Sequence, residues 1–378
     1  MSRPSWACEL KWKSSSCCLI GGAAGDALGY AVEFLREEQI FSKYGENGIT
    51  EYSLRNGKAE ISDDTQMTLF TANGLLLGTT RGMTRGIMGS YESYIQIMYK
   101  CWYRIQTESY PIDEDYLYSW LLNVPELFSR RAPGMTCLSA IENGAEGSTR
   151  EPINKSKGCG GVMRVAPIGL YFCDKSISYE KSDMIGAEAA ALTHGHDLGY
   201  IPAAALVHII RCIVENEATI DDAVNEAVDS MQALFPNAKH IAEFTAIMKK
   251  AVMLAKTGNN DIAAIHQLGE GWVAEETLAI AVYCALKYQN DFDTALRVSV
   301  NHNGDSDSTG AVTGNILGAF LGYDKIPQKY KDNLELRDLI LEIADDLCND
   351  CKISEYGSYR DEVWESKYIK AEFVRNAH

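Results

Sequence analysis

Two short oxygen-rich segments could do chemistry in this chain: Ile61-Ser62-Asp63-Asp64-Thr65-Gln66 and Gly304-Asp305-Ser306-Asp307-Ser308-Thr309-Gly310. Each leads into an apolar run with helical spacing. In the first, Asp63 followed three residues later by Gln66 approximates a helix-capping box, but a cap uses one carboxylate and leaves Asp64 unexplained. In the second, Asp305-x-Asp307-x-Thr309-Gly310 copies the first half of an EF-hand loop. That loop needs a bidentate Glu at its twelfth position, where this chain has Ile316. Taken together, the carboxylates and the hydroxyls of Ser62 and Ser308 form an all-oxygen donor set. Such a set suits Mg²⁺, Mn²⁺ or Ca²⁺ better than Zn²⁺. Carboxylates about 4 Å apart would repel by about 4 kcal/mol per pair at an effective dielectric near 20. Helix dipoles offset part of this, and two divalent ions would cancel it. The expectation requires that segments about 240 residues apart in sequence meet in space.

Other chemistry-bearing residues are open to structural readings. Asp26 and Glu33 are seven apart, hence on one helix face with Gly29 between them; Asp26 reads equally as a buried carboxylate held by backbone donors, and Glu33 as a solvated side chain. Gly158-x-Gly160 lacks the strand and downstream acid of a dinucleotide fingerprint, although Gly-rich turns can present amides to phosphate. His194-x-His196 has no further ligand nearby in sequence and reads as structural. Cys348-x-x-Cys351 has no partner pair.

The elements that must position these residues are helices. Met67, Phe70, Gly74 and Leu77 share one helical face. Ala203, Leu206, Ile210 and Val214, then Leu278, Ala281, Val282 and Ala285, do the same. Gly310, Gly314, Gly318 and Gly322 recur every four residues, as do Gly21, Gly25 and Gly29; a ridge of glycines costs helix stability and implies backbones packed very close. The best strand signal, Gly48–Ser53, is weak, and loops are expected at Arg36–Ile61, Arg131–Gly161 and Phe235–Lys239. The expected fold is all-α, one large helical unit over 16–345. An N-terminal extension at 1–15 and a charged tail at 346–378 would flank it.

Composition narrows the function class. Thirty-five basic against 52 acidic residues give a net charge of −17, which disfavours nucleic-acid and anionic-membrane binding. Eleven scattered cysteines read as reduced thiols rather than a disulfide framework. Residues 17–32 superficially resemble a signal peptide, but Asp26 and several glycines interrupt the apolar core. No run reaches the roughly 20 apolar residues of a spanning helix. The expected location is cytoplasmic.

The order and rough spacing of five motifs resemble the ADP-ribosylglycohydrolase family, of the dinitrogenase reductase-activating and ADP-ribosyl-acceptor hydrolase type. These are Gly25-Asp26-Ala27-Leu28-Gly29 with Glu33, Ser62 to Met67, Gly158 to Arg164, Leu192 to His196, and Gly304 to Gly310. The likeness spans about Cys17 to Tyr323, and the stretch Gly271–Leu278, GWVAEETL, is similar to bacterial members. The paired acidic motifs are its specific part. The resemblance implies an all-α orthogonal bundle with two Mg²⁺ or Mn²⁺ held by Ser62, Asp63, Asp64, Asp305, Asp307 and Ser308. It implies catalytic roles for Glu33, Asp63 and Asp64, and a substrate loop of Ser156, Lys157, Gly158, Cys159, Gly160 and Gly161 near the diphosphate, with His194 beside it. Cys159 departs from the pattern, because many relatives carry Asn there.

The implied reaction is removal of mono-ADP-ribose from modified protein side chains, ADP-ribosylarginine foremost, by water attack at C1″, with ADP-ribose as product. Alternatives are ADP-ribosylserine or a free ADP-ribosyl compound as substrate, acceptor choice then lying in loops of Gly82–Arg131. A non-catalytic ADP-ribose binder or structural protein is a further alternative. So is an immunity protein against an ADP-ribosyltransferase toxin, with Trp6 and Trp12 anchoring the N-terminal segment.

Overall fold

A computed structural model describes residues 5–375 except 115 and 259, with side chains from Ser16 onward. The N-terminal residues 1–4 and the side chains of Trp6 and Trp12, on which the toxin-blocking alternative depends, lie outside the described residues. The fold is all-α; among the described residues backbone pairing is limited to isolated bridges, such as Gly158 with Val273. The helices are α1 (Ser5–Tyr30), α2 (Glu37–Tyr44), α3 (Asp63–Arg85), α4 (Tyr91–Thr107), α5 (Met135–Glu142) and α6 (Ala166–Tyr171). They continue with α7 (Tyr179–Ala191), α8 (Asp197–Asn216), α9 (Ile220–Leu234), α10 (Ile241–Lys256), α11 (Asp261–Leu268) and α12 (Ala274–Lys287). The last are α13 (Phe292–Val300), α14 (Ser306–Leu321), α15 (Gln328–Lys331), α16 (Arg337–Asn349) and α17 (Glu362–Glu365).

The two glycine ridges meet. α1 and α14 run antiparallel at the centre, each glycine of one against backbone of the other. A Cβ on Gly21 would lie 2.3 Å from Gly314 O, one on Gly25 1.9 Å from Gly310 O, one on Gly29 2.1 Å from Ser306 O, and one on Gly318 2.1 Å from Cys17 O. Only glycine permits this approach, and Asn315 Nδ2 ties it by donating to Cys18 O at 2.8 Å. Gly322 falls off the ridge: it ends α14 at φ +83 with nothing near it. Around this pair pack α16, α12, α13, α3, α6 and α8.

Several local expectations fail for physical reasons. Gly48–Ser53 forms no strand; Ile49 is instead held by Asn301, whose amide accepts from Ile49 N at 2.7 Å and donates to Ile49 O at 2.9 Å. The expected loops hold α2 and α5, eight residues each, too short for periodicity to reveal. α4 fills the middle of Gly82–Arg131, so that stretch is not mainly loop. α8 is long and apolar enough to cross a membrane by length and composition, against the expectation, but 89% of its apolar window is buried inside the protein. Its Arg211 is buried too, spanning Ser178 O at 3.2 Å and Ile177 O at 2.9 Å. No disulfide joins the ten cysteines whose side chains are described.

The C-terminal tail docks. Trp364 Nε1 donates to Thr80 Oγ1 at 3.0 Å, and Lys367 Nζ pairs with Asp346 Oδ2 at 2.8 Å and Glu342 Oε1 at 2.7 Å.

Candidate metal centre and substrate cleft

The helix starts of α3 and α14 converge at the C-terminal end of α1. Asp26, fully buried on α1, is the device that seats α3: its carboxylate accepts from Ser62 N at 2.9 Å, from Thr65 N at 3.1 Å and from Thr65 Oγ1. Ser62, not Asp63, is the N-cap, with its Oγ accepting from Asp64 N at 3.2 Å. The capping-box expectation is corrected accordingly. Gln66 turns away to accept from Trp102 Nε1 at 3.2 Å and Gln106 Nε2 at 2.8 Å. Asp63 and Asp64 are thereby left to face the site.

On α14, Asp305 is the N-cap, accepting from Ser308 N at 3.2 Å, and Asp307 accepts from the same amide at 3.0 Å. Gly304, at φ +119, lets this turn press on its neighbour: a Cβ there would lie 1.9 Å from Glu270 O, which accepts from Asp305 N at 2.9 Å. The two acidic segments meet across α1: Asp26 holds Ser62 N, and one turn on, a Cβ at Gly29 would lie 2.6 Å from Asp307 Cα, so the charge of Asp307 acts on Asp63 and Asp64.

Glu33 joins them and is buried, not solvated. Burial first, then the charges of Asp307, Asp305, Asp63 and Asp26, push its carboxyl up to about 11. Burial and Asp307 raise Asp26 to about 7. Asp63, Asp64 and Asp307 are raised well above the usual carboxylate range for the same reasons, and Asp305 is raised by burial. Glu33 Oε2 and Asp64 Oδ2 are buried without a hydrogen-bond partner. Crowded, protonation-prone carboxylates with orphaned oxygens, in a cage of hard donors, fit divalent cations bound by Ser62, Asp63, Asp64, Asp305, Asp307 and Ser308.

The Gly-rich loop lies alongside, but several of its groups are already engaged. Gly158 N donates to Ser156 Oγ at 3.3 Å, and Cys159 N to Trp272 O at 3.2 Å. A Cβ on Gly160 would come within 2.8 Å of Cys137 Sγ and one on Gly161 within 2.9 Å of Gly199 O, so packing alone accounts for both glycines. Lys157 Nζ pairs with Glu275 rather than standing free for an anion. His194 is 2% exposed behind the loop, with Nδ1 2.8 Å from Thr193 Oγ1; burial and Arg164 lower it to about 3, so it is a neutral prop. Arg164, itself buried, donates to Ala189 O at 3.0 Å and Thr193 Oγ1 at 2.7 Å. His196 turns elsewhere, stacking on His240 at 4.5 Å. Cys159 Sγ, unlike these, reaches the acidic cluster, 2.8 Å from Asp305 Oδ2.

Beside Glu33 opens a cleft of about 310 Å³, walled by Phe34, Arg36, Glu270, Trp272 and Asn303. Phe34 and Trp272 are exposed and stack with centroids 6.3 Å apart. Neither was singled out as a site residue from the sequence, since an isolated Phe and Trp carry no spacing signal. A larger cleft of about 820 Å³, around Lys58, Glu126, Asp338 and Arg375, shares no residue with the acidic cluster and offers no comparable donor set.

Known proteins resemble this chain in sequence and in fold. Residues 16–355 match the family model of ADP-ribosylglycohydrolase. The chain is 24% identical over 201 residues to human ADP-ribosylhydrolase ARH3, covering 48% of this chain and 54% of that protein. The chain thus spans about half the length of these curated relatives. It is 22% identical over 364 residues to the ADP-ribosylarginine hydrolase Tri1 of Pseudomonas putida (strain GB-1), covering 92% of this chain and 83% of that protein. A solved ADP-ribosylglycohydrolase-related protein complex superposes with TM-score 0.62 at 21% identity, over 90% of this chain and 99% of that one, a likeness of fold.

Proposed function

This chain belongs to the ADP-ribosylglycohydrolase family, and on that premise we propose that it is a binuclear-metal hydrolase removing mono-ADP-ribose from modified proteins, with ADP-ribosylarginine as its substrate. The observation that carries the reading is the meeting of Ser62–Asp64 with Asp305–Ser308 around the orphaned Asp64 Oδ2 and Glu33 Oε2. When bound, two Mg²⁺ or Mn²⁺ would supply Lewis acidity and charge neutralisation at the distal ribose.

The chain's own residues do the rest. Glu33, whose carboxyl pKa is raised by burial and its acidic neighbours in the metal-free cluster, lies at the cleft and is the residue placed to protonate the leaving nitrogen. Asp63 and Asp64 lie where oxocarbenium charge develops and can accept the proton of the attacking water. Asp26, locked by the amides of Ser62 and Thr65, fixes their helix start. The arginine acceptor is supported by the cleft: Phe34 and Trp272 offer faces to a guanidinium, and Glu270 offers a carboxylate. The name of the Tri1 relative agrees with it.

The test follows ADP-ribose released from proteins modified separately on Arg and on Ser, in Mg²⁺ or EDTA. Release from Arg, abolished by EDTA and by Asp64→Ala with Asp305→Ala, is the expected result. Binding without release refutes hydrolysis, and release from Ser alone refutes the acceptor assignment.

A further inference from the structure

We propose that Cys159 is a sulfur ligand of this centre and shifts its cation preference from Mg²⁺ toward more thiophilic divalent ions such as Fe²⁺, Co²⁺ or Zn²⁺. The inference rests on the reading of the acidic cluster as a divalent-cation site. Its own support is the sulfur placed there. Cys159 Sγ is 2.8 Å from Asp305 Oδ2, in the same cluster as Asp64, whose Oδ2 is buried with no partner. A second sulfur stands on the other flank, with Met163 Sδ 3.8 Å from Ser308 Oγ.

The position of the thiol is fixed by backbone. Cys159 N donates to Trp272 O at 3.2 Å, and Cys159 O accepts from Val162 N at 2.9 Å and Met163 N at 3.2 Å. The side chain is therefore built into the cage, not swung in by a loose loop. Among all-oxygen donors, hardness favours Mg²⁺; one thiolate adds a bond that Mg²⁺ gains little from and the softer ions gain much from. The exchange balances without any redox partner. The cation takes over the Asp305 oxygen that now accepts the S–H bond, the thiol proton passes to solvent, and a metal–sulfur bond forms with no change of oxidation state.

The experiment strips the full chain with EDTA and titrates it with Mg²⁺, Mn²⁺ and Co²⁺ in turn by calorimetry, alongside Cys159→Ser. The absorption spectrum of each Co²⁺ complex is recorded. The wild type is expected to show a near-ultraviolet thiolate-to-cobalt charge-transfer band that Cys159→Ser lacks. The substitution should weaken Co²⁺ roughly tenfold while leaving Mg²⁺ affinity in place. Co²⁺ binding to the wild type without the band overturns the proposal, and that measurement stands even if the variant fails to fold. Equal weakening of Mg²⁺ and Co²⁺ overturns it as well. Failure of the folded wild type to bind any of the three ions would instead overturn the cation reading of the cluster, and the inference with it.

Discussion

Gly25→Ala sets two effects of opposite sign against each other. In a helix interior, Ala in place of Gly gains about 1 kcal/mol of propensity. At this position the new Cβ would stand 1.9 Å from Gly310 O, 2.2 Å from Gly310 C and 2.9 Å from Ala311 N. All three are backbone atoms of α14, so no side chain can rotate aside, and the helices must part by roughly 1 Å or more to restore contact distance. Overpacking of this kind costs about 1–3 kcal/mol, and a rigid backbone obstacle belongs at or above the upper end. A net loss of about 2 kcal/mol follows, read as a lower urea midpoint at unchanged slope. Parting also carries Asp305 and Asp307 away from Asp26 and Glu33, so any rise in Tm that Mg²⁺ gives the wild type should be smaller in the variant. Gly89→Ala is the control, because its Cβ would meet nothing closer than Tyr94 Cε2 at 3.7 Å; it should stay within about 0.5 kcal/mol of wild type. A Gly25→Ala protein as stable as wild type would refute the close-packing argument.

Three further outcomes follow from the acidic cluster. Asp26 and Glu33 are raised from 3.8 to about 7 and from 4.5 to about 11, so folding favours their protonated forms. That contribution is complete below the unfolded values and disappears as pH climbs through the folded ones. The EDTA-treated protein should therefore have a lower Tm at about pH 8 than at about pH 5, with Mg²⁺ restoring it at the higher pH; a flat profile by differential scanning fluorimetry contradicts this. Glu33→Gln removes the cost of keeping that carboxyl protonated in the fold at a pH where the unfolded chain would ionise it, so the metal-free protein should melt higher at about pH 8 while ADP-ribose release falls by about 10²-fold or more; retained turnover removes Glu33 from the chemistry. Asp26→Ala deprives the buried amides of Ser62 and Thr65 of their acceptor and should cost about 2–4 kcal/mol in chemical denaturation, a marginal loss contradicting its role as the anchor of α3.

The sequence disclosed what short motifs and periodicity encode. The pairing of Ser62-Asp63-Asp64 with Asp305-x-Asp307-Ser308 was legible because isolated caps leave surplus carboxylates. The glycine ridges were legible because four-residue spacing has no other helical use. The partners of single residues were not. Nothing local states that Glu33 is buried, that Asp26 reaches across 36 residues to Ser62, or that Gln66 serves Trp102 rather than its own helix start. Phe34 and Trp272 meet only through tertiary folding, as do Cys159 and Asp305. The helices α2 and α5 were invisible because two turns give too few apolar repeats.

The antiparallel seam of α1 and α14 also governs when the cage can exist. Its two halves come from helices separated by most of the chain, with Cys17 against Gly318 and Gly29 against Ser306, so this long-range closure would have to precede the capture of any cation by the whole cage. A nascent chain still lacking α14 has Asp26, Glu33 and Asp64 but only half a cage. Tight cation binding, under the proposed reading, would report that this long-range topology has closed.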